Sequence, residues 1–561
     1  MCRWRAAVCR FGSGVADLVA AYLASFRSRT HPLSVRPRTQ VVTGRRWAAA
    51  CGVLAAAAAL GAAELVAGAL GRAGSSPPLA VGAAFIDLTP VWLKDFAIRR
   101  FGDDDKTALL IGLGAGITVA ALGVGLLARR RPRWGLAAMA AFGLVGVTAA
   151  LTRPAAGLMD AVPAIVGAVA GTAALALLIR AARRPARSDG PRPDKTQPDD
   201  PQNDAADDGR RRMLLIGAGV LGAAAAGGVA GRLLLRREDV SAARAEVRLP
   251  APASPATDVP PGAQVRIPGM TAFRTPNRDF YRVDTALTLP QVDPRAWTLR
   301  IHGMVDRPVE LTFEELLAQP LAERDITLAC VSNQVGGDLA GNARWLGTPL
   351  AALLRRAGVR AGADQILSRS ADGMTLSTPL AAVLDGRDAL LAVGMNGEPL
   401  PVAHGFPARL VVPGLYGYVS ATKWVVDLKV TRFAADRAYW TRRGYAERAP
   451  VKTFSRIDVP KPLARVRAGR VAVAGTAWAQ HRGVDAVEWQ VDDGPWRQAR
   501  LAPVPGLDTW RQWVAEWDAT PGSHTLRVRA TDGTGATQPA DRVPPFPDGA
   551  TGRHSVVVTV T

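Results

Sequence analysis

The chain has 561 residues, a formal net charge of +21 and 48% hydrophobic residues, which is long enough for several domains. Its arginine clusters flank long apolar segments, as membrane topology requires, so nucleic acid is excluded as a partner and membrane lipid is expected. Only one of the four cysteines follows residue 51, so a disulfide within the more polar remainder is excluded and cysteine usage does not identify the compartment.

Five apolar segments long enough to cross a bilayer follow a basic tail, residues 1–46, which we expect to be cytoplasmic. The first four form a predicted membrane region over residues 47–184, and the fifth is a predicted anchor over residues 213–237. A weaker stretch, Ala80–Ile98, contains Asp87 and Pro90 and is predicted to be an interfacial helix. The five predicted spans are Ala48–Leu70, Ala108–Leu127, Gly135–Leu151, Ala161–Ile179 and Met213–Leu235.

The basic residues between the spans predict the orientation of the chain in the cell membrane. Arginines precede the first span and follow the second and the fourth, and they belong in the cytoplasm. After five spans the C-terminal half is then extracytoplasmic, although Arg232, Arg236 and Arg237 fall at the outer end of the fifth span, against the rule. The spans contain no His that could ligate haem, so an anchor that carries no electrons is the favoured interpretation.

Two segments have little to bury. Residues 185–212 are rich in Pro, Asp and Gln and are predicted to be a disordered cytoplasmic linker. The linker ends in three arginines, Arg210–Arg212, which resemble a twin-arginine export signal; ordinary positive flanking charge is an equally good interpretation. Residues 238–272 are rich in Pro and Ala, and we interpret them as a tether.

Short helices and strands alternate in the next part of the chain, which is an α+β pattern. The predicted elements are a strand at Trp297–Gly303, helices at Thr312–Leu317 and Leu350–Ala357, and strands at Leu410–Val412 and Trp424–Val430.

The stretch from Asp325 to Leu350 is the most informative one. An apolar run, Ile326–Val331, predicts a strand that carries Cys330 at its C-terminal end, and a glycine-rich loop follows. A thiolate beside such a loop suits a soft metal that is held mainly by something other than protein. The alternative is that Cys330 is a small buried hydrophobic residue, as most free cysteines are.

A second stretch, HGFPARLVVPGLYGYVSATKW from His404 to Trp424, gives the first one a context. Together with CVSN at Cys330–Asn333, it resembles the paired motifs of the sulfite-oxidase family of molybdopterin enzymes, over roughly residues 270–561. The resemblance implies an α+β molybdopterin-binding oxidoreductase domain at residues 273–450. In the family a thiolate ligates molybdenum, so the implied cofactor is the molybdenum–molybdopterin cofactor.

After Lys452 the pattern changes to short strands with turns between them, which predicts a β-sandwich. The predicted strands are Val471–Gly475, Val487–Val491, Thr525–Ala530 and Ser555–Val560. The resemblance implies that residues 451–561 are an immunoglobulin-like dimerisation domain, and hence a homodimer formed through it.

The resemblance also implies a set of site residues. Cys330 is the expected metal ligand, and Cys330 and Arg282 are the expected catalytic residues. Arg409 and Lys423 would hold the phosphate of the pterin, because a guanidinium fork and an ammonium both suit that anion. Arg282 in a surface salt bridge and His404 as a buried structural residue are the competing interpretations. The full expected cofactor-binding set is Tyr281, Asn333, His404, Arg409, Ser420 and Lys423.

The implied reaction is two-electron oxygen-atom transfer on a small oxo substrate, with a separate redox partner. Two departures from the family argue against sulfite: Gln334 and Val335 stand where an Arg follows the cysteine motif, and Val393 stands in place of a Tyr. A sulfoxide or another oxo compound is an equally good substrate. The alternative function is a non-catalytic membrane sensor or interaction protein that retains the fold.

Overall fold

The computed structural model describes residues 44–90, 93, 96, 100, 105–182, 201–237 and 239–561. The predicted basic tail therefore lies almost wholly outside the described residues, as does most of the predicted interfacial stretch beyond Leu88. The first part of that stretch is helical.

The N-terminal part is a bundle of apolar helices, five of which are long and apolar enough to cross a membrane. Helix α1 packs against α3, α5 and α6, and its residues Ala55, Ala63 and Ala67 are fully buried. Small side chains at these positions let the helix backbones approach closely, which stabilises helix pairs in lipid. The helices are α1 (Arg45–Ala69), α2 (Pro77–Leu88), α3 (Asp105–Arg130), α4 (Pro132–Leu151), α5 (Val162–Ala181) and α6 (Pro201–Arg236).

Two segments predicted to be loose are ordered where the structure describes them. Helix α6 begins at Pro201, so the prediction of a disordered linker over residues 185–212 is wrong from that residue onward. Extending an existing helix costs less than starting one, and the apolar span provides the helix that is extended. The predicted tether begins with helix α7 (Ser241–Glu246), and the amide of Val265 donates to the side chain of Gln512 at 2.6 Å. The tether is therefore packed along the folded domains.

The next part of the chain contains two five-stranded sheets with short helices between the strands. The first sheet has the order β2-β1-β10-β5-β6, and only its β1–β10 pair is parallel. The second has the path β3-β4-β7-β8, with β9 paired to β7. The strands are β1 (Thr298–Gly303), β2 (Val309–Thr312), β3 (Ala322–Ala329), β4 (Ala340–Pro349), β5 (Gln365–Ser370), β6 (Thr375–Pro379), β7 (Leu390–Met395), β8 (Glu398–Pro399), β9 (Arg409–Val411) and β10 (Val425–Thr431).

Three helices connect these strands: α8 (Phe313–Leu317), α9 (Leu350–Ala357) and α10 (Ala381–Leu384). Helix α8 is only five residues long, but its N-terminus has a capping box. The Glu315 amide donates to the Thr312 hydroxyl at 3.2 Å, and the Thr312 amide donates to the Glu315 carboxylate at 2.8 Å. Helix α9 covers the residues that the sequence predicted, and it buries Leu350, Leu353 and Leu354.

The C-terminal part is a β-sandwich of a four-stranded sheet, β11-β13-β17-β16, and a five-stranded sheet, β12-β19-β18-β14-β15. Residues from both sheets form one apolar core, which includes Val473, Trp513 and Val528. All four strands predicted after Lys452 are present. The strands are β11 (Phe454–Val459), β12 (Arg465–Val466), β13 (Gly469–Trp478), β14 (Val484–Val491), β15 (Arg497–Gln498), β16 (Arg500–Leu501), β17 (Arg511–Ala519), β18 (Gly522–Asp532) and β19 (His554–Val560).

The helical bundle contacts the two-sheet part of the chain through one of its ends. Lys106, at the start of α3, binds the Asp284 carboxylate at 2.8 Å. Asp87, near the end of α2, binds Arg443 at 3.2 Å. The loop after α4 lies against the turn at Gly373. These contacts bring one end of the bundle close to the segment that contains Arg282.

Candidate active site

Cys330 follows the last residue of β3 and is the thiol at the centre of the site. Its side chain is buried, and the amide of Ser332 lies 3.4 Å from Sγ. Burial raises the pKa of Cys330, although that amide and the positive charge of Lys423 act against the effect. Among the residues that the structure describes, Cys330 forms no disulfide and belongs to no protein cluster that could hold a metal. The thiol is therefore suited to be one protein ligand among several non-protein ligands.

The loop after Cys330 is held by its own backbone and by one side chain. The amide of Cys330 donates to the Leu339 carbonyl at 2.9 Å, and the amide of Leu339 donates to Asn333 Oδ1 at 2.9 Å. Asn333 is buried. Its carbonyl oxygen therefore shapes the loop, while its role toward the cofactor stays a prediction.

The β-sandwich supports the same loop from outside. Arg456 donates to the Gly337 carbonyl at 2.6 Å, and its guanidinium also binds Asp458 at 2.8 Å. Gly336 has a φ of +80°, and a Cβ there would lie 2.3 Å from the ring of His554. Only glycine fits both the backbone conformation and that contact. The C-terminal domain thus fixes the loop that carries the thiol.

Arg409 begins β9 and is the most unusual charge in the site. Its guanidinium is buried, lies 4.9 Å from the centre of the Trp345 ring, and donates to the His404 carbonyl at 3.0 Å. Burial lowers the pKa of Arg409 to about 10. No carboxylate in the described part of the chain forms an ion pair with it. A buried cation without a counter-ion is costly, so this position suits an anionic ligand.

Lys423 supplies a second cation, and its Nζ lies 2.6 Å from the Asp284 carboxylate. Burial lowers the pKa of Lys423 to about 8, because desolvation outweighs the attraction of Asp284. For Asp284 the balance is reversed. Burial alone would raise its pKa, but Lys423, Arg282 and Lys106 together hold it well below its usual range. Lys423 is therefore a cation of the site whose carboxylate partner, Asp284, also binds Arg282 and Lys106.

His404 lies beside both cations. Burial, followed by the charge of Arg409, lowers its pKa to about 4, so the ring is neutral at pH 7. Its Nε2 lies 3.0 Å from the Asn277 carbonyl, which assigns the proton to Nε2 and leaves Nδ1 as an acceptor. The backbone bond fits the structural interpretation of His404, while Nδ1 remains able to accept from a ligand. Gly405, next to it, has a φ of +110°, and a Cβ there would crowd Arg409 and Lys423 at 3.1 Å.

Three expected site residues have contacts that bear on their predicted roles. Tyr281 stacks on Phe280, and burial, followed by the proximity of Cys330, raises its pKa. The Arg282 side chain is 36% exposed and binds Asp284 at 2.8 Å, as the salt-bridge interpretation states. Ser420 is fully buried, and its hydroxyl lies 3.0 Å from the Tyr416 carbonyl. The Ser420 hydroxyl is engaged by backbone carbonyls, and Nε and Nη2 of Arg282 are engaged by Asp284, so a role of either residue at the reacting atoms stays a prediction.

The residues present fit a molybdenum–molybdopterin cofactor. The set comprises a buried thiol, a buried guanidinium with no carboxylate partner among the described residues, and an ammonium whose side chain is 12% exposed. Tyr281 and His404 lie within electrostatic reach of these groups. A soft metal, a phosphate and a polar heterocycle are the three chemical parts that such a set would bind. A cavity of about 570 Å³ lies elsewhere, between Pro154 and Arg442, and none of the predicted site residues lines it.

Two features of the site escaped sequence reasoning. Asp284 has no motif around it, and its importance comes from three cations, of which Lys106 and Lys423 lie far away in the sequence and Arg282 lies two residues before it. Phe280 meets the rings of Trp345 and His404 edge to face, with centroids 5.8 and 5.5 Å away. The sequence offered one signal for the role of Asp284: it lies two residues after Arg282, and an acid at that spacing often binds the arginine.

The fold and the site define a molybdopterin-binding oxidoreductase domain, and a family model described as the oxidoreductase molybdopterin binding domain matches residues 286–440. The uncharacterized oxidoreductase YuiH of Bacillus subtilis (strain 168) is 35% identical over 153 residues, which are 27% of this chain and 74% of YuiH. The chain belongs to the sulfite-oxidase family of molybdenum cofactor-dependent oxidoreductases.

Two further similarities extend beyond that domain. The mitochondrial sulfite oxidase of Drosophila melanogaster is 29% identical over 323 residues, which are 48% of this chain and 55% of the relative. The chain thus spans a little over half the length of that sulfite oxidase. The chain is also similar to the crystal structure of the sulfane dehydrogenase SoxCD from Paracoccus pantotrophus, at 24% identity and a TM-score of 0.46. The match covers 56% of this chain and 89% of the SoxCD chain.

Proposed function

We propose that the protein is a membrane-anchored enzyme that transfers an oxygen atom to or from a small oxo substrate at an extracytoplasmic site. The observation that carries the proposal is the buried thiol of Cys330 together with two cations: Arg409, which is buried and has no carboxylate partner among the described residues, and Lys423, whose side chain is 12% exposed. A non-catalytic sensor would have no need for a desolvated guanidinium, which costs folding free energy unless an anion accompanies it.

Each site residue has a role that follows from its state. Cys330 would be the thiolate ligand of the metal, because a bound cation stabilises the ionised thiol that burial disfavours. Arg409 and Lys423 would bind the phosphate, and neutral His404 would accept a hydrogen bond at Nδ1. Tyr281, kept protonated by burial, would be a donor next to the thiol. When bound, the cofactor supplies the two-electron redox chemistry.

Sulfite is expected to be a poor substrate. A small dianion requires converging cations and hydroxyl donors, yet Gln334 is exposed, Val393 is fully buried in the core and Arg282 is engaged with Asp284. Each lost charge-assisted hydrogen bond is worth roughly 1.5–3 kcal/mol. Relative to a site with both donors, two losses should lower kcat/KM for sulfite by about a hundredfold or more. Steady-state kinetics on the purified full-length protein measures this, with an artificial electron acceptor for the oxidation of sulfite and an artificial electron donor for the reduction of methionine sulfoxide and dimethyl sulfoxide.

The comparison also tests the proposed reaction. Turnover of at least one oxo compound, with sulfite the weakest, would support oxygen-atom transfer together with the depleted anion pocket. Efficient sulfite oxidation would contradict the substrate proposal, because other residues would then have to form the anion site. Protein that contains molybdenum but turns over none of these compounds would contradict the choice of substrate class.

The extracytoplasmic location is supported by where the bundle meets the domain. Lys106 at the start of α3 contacts the domain, while Arg130 ends the same helix about 36 Å away at 1.5 Å per residue, directly after Arg129. Arg180 likewise lies at the end of α5, whereas the loop before that helix approaches the domain at Gly373. Basic ends face the cytoplasm, so the domain would lie on the opposite side.

A protease added to intact spheroplasts is expected to release the domain, because residues 238–561 would be exposed at the outer surface. Immunoblotting against the C-terminal domain would follow the release, and a cytoplasmic marker protein would serve as the control for intact cells. Digestion of the domain only in inverted vesicles would reverse the proposed topology.

A homodimer formed through the C-terminal sandwich is the corresponding proposal for assembly. The four-stranded and five-stranded sheets form the two-layer architecture that the resemblance implies for a dimerisation domain. Leu463 and Val557 are exposed neighbours on the sandwich, linked by a backbone hydrogen bond of 2.7 Å. The redox partner would be a separate molecule.

A further inference from the structure

A charge network connects the membrane bundle to the lysine of the site. The Asp284 side chain is only 7% exposed, and three cations surround it. Lys106 lies 2.8 Å from Oδ1, Lys423 lies 2.6 Å from Oδ2, and Arg282 donates to both oxygens at 2.8 and 3.2 Å. Both carboxylate oxygens are therefore engaged, and one partner comes from the anchor.

The position of Lys106 makes this contact specific. Lys106 stands at the start of α3, one of the five helices long enough to span a membrane, and its Nζ also donates to the Ala286 carbonyl at 3.0 Å. On the same face, a Cβ at Gly82 of α2 would lie 3.0 Å from Leu287. The backbone around Asp284 is thus held between the bundle and the site.

We propose that Lys106 is a positioning residue of the cofactor pocket, which acts on Lys423 through Asp284. This inference rests on the proposed binding of the cofactor phosphate by Lys423. By occupying Oδ1, Lys106 orients the carboxylate so that Oδ2 faces Lys423. It also neutralises part of the carboxylate charge, so that Lys423 keeps more of its attraction for an anion. The membrane bundle is then a part of the site as well as an anchor.

The test measures how fast the full-length protein in detergent loses its molybdenum. Samples are incubated at constant pH and temperature, passed at intervals through a desalting column, and analysed for metal per chain. Lys106→Met is expected to release molybdenum about two- to fivefold faster than the wild type, the scale of one partly exposed ion pair. Lys106→Arg keeps the charge and should release it at the wild-type rate.

Two further variants make the result decisive. Asp87→Asn breaks another contact between the bundle and the domain, at Arg443, without touching Asp284, and should leave the release rate unchanged. Lys423→Met tests the underlying proposal and should accelerate release by itself. Acceleration by Lys423→Met together with a wild-type rate for Lys106→Met would overturn the inference alone. A wild-type rate for Lys423→Met would overturn the role of Lys423, and equal acceleration by Asp87→Asn would reduce Lys106 to a docking contact.

Discussion

Replacement of Cys330 by Ser is expected to lower oxygen-atom transfer by more than about a thousandfold, while the protein still folds. A serine hydroxyl does not ionise near neutral pH, so it cannot replace the thiolate as a soft ligand. Cys330 is the one cysteine in the sequence after residue 51, and Cys51 lies in α1. The kinetic assay with the best oxo substrate, together with molybdenum per chain, measures the effect.

The fold should tolerate this change because Ser differs from Cys by one atom and the loop is held by other groups. Circular dichroism and the unfolding midpoint of the apo-protein should remain close to those of the wild type. Cys51→Ser is the matched control, since Cys51 is also a buried free cysteine, and it should retain activity. Undiminished activity of Cys330→Ser would show that the thiol is not the metal ligand.

The strands and helices that the sequence predicted well are those with a strong local pattern. Helix α9 has the predicted ends because its buried leucines recur at helical spacing and Gly358 ends it. Strand β3 was predicted four residues too late, since Glu323, Arg324 and Asp325 look like a loop although they are paired with β4. Three consecutive charged side chains, half-buried on both faces of the strand, carry no local signal of that pairing.

The centre of the site was predictable from motifs, and its surroundings were not. Lys423 acts electrostatically on Cys330, and Arg409 and Lys423 both act on His404, while the roles of these residues toward a cofactor stay predictions. The contacts of Asp284 depend on tertiary structure, because Lys106 is 178 residues away and Lys423 is 139 residues away. The same contacts turn Arg282 toward Asp284, which a sequence motif alone does not reveal.

Two buried arginines, Arg409 and Arg456, differ in whether a carboxylate balances their charge. Arg456 has its own carboxylate, Asp458, at 2.8 Å, so the pair is neutral without any ligand. Arg409 has backbone carbonyls and the Trp345 ring around it, and no carboxylate in the described part of the chain pairs with its charge. Folding of the apo-protein therefore bears the cost of desolvating Arg409, and binding of the phosphate would offset it.

Arg409→Ala is accordingly expected to reduce molybdenum per chain by about tenfold or more, since a buried charge-assisted contact is worth roughly 1.5–3 kcal/mol. The unfolding midpoint of the apo-protein, produced in cells that do not make the pterin, should change little, because the lost packing is balanced by removal of a buried charge. Arg456→Ala is the matched control and should lower that midpoint, because it leaves Asp458 buried and unpaired. Unchanged molybdenum in Arg409→Ala would mean that the phosphate binds elsewhere, and a large fall in its apo midpoint would mean that Arg409 is structural.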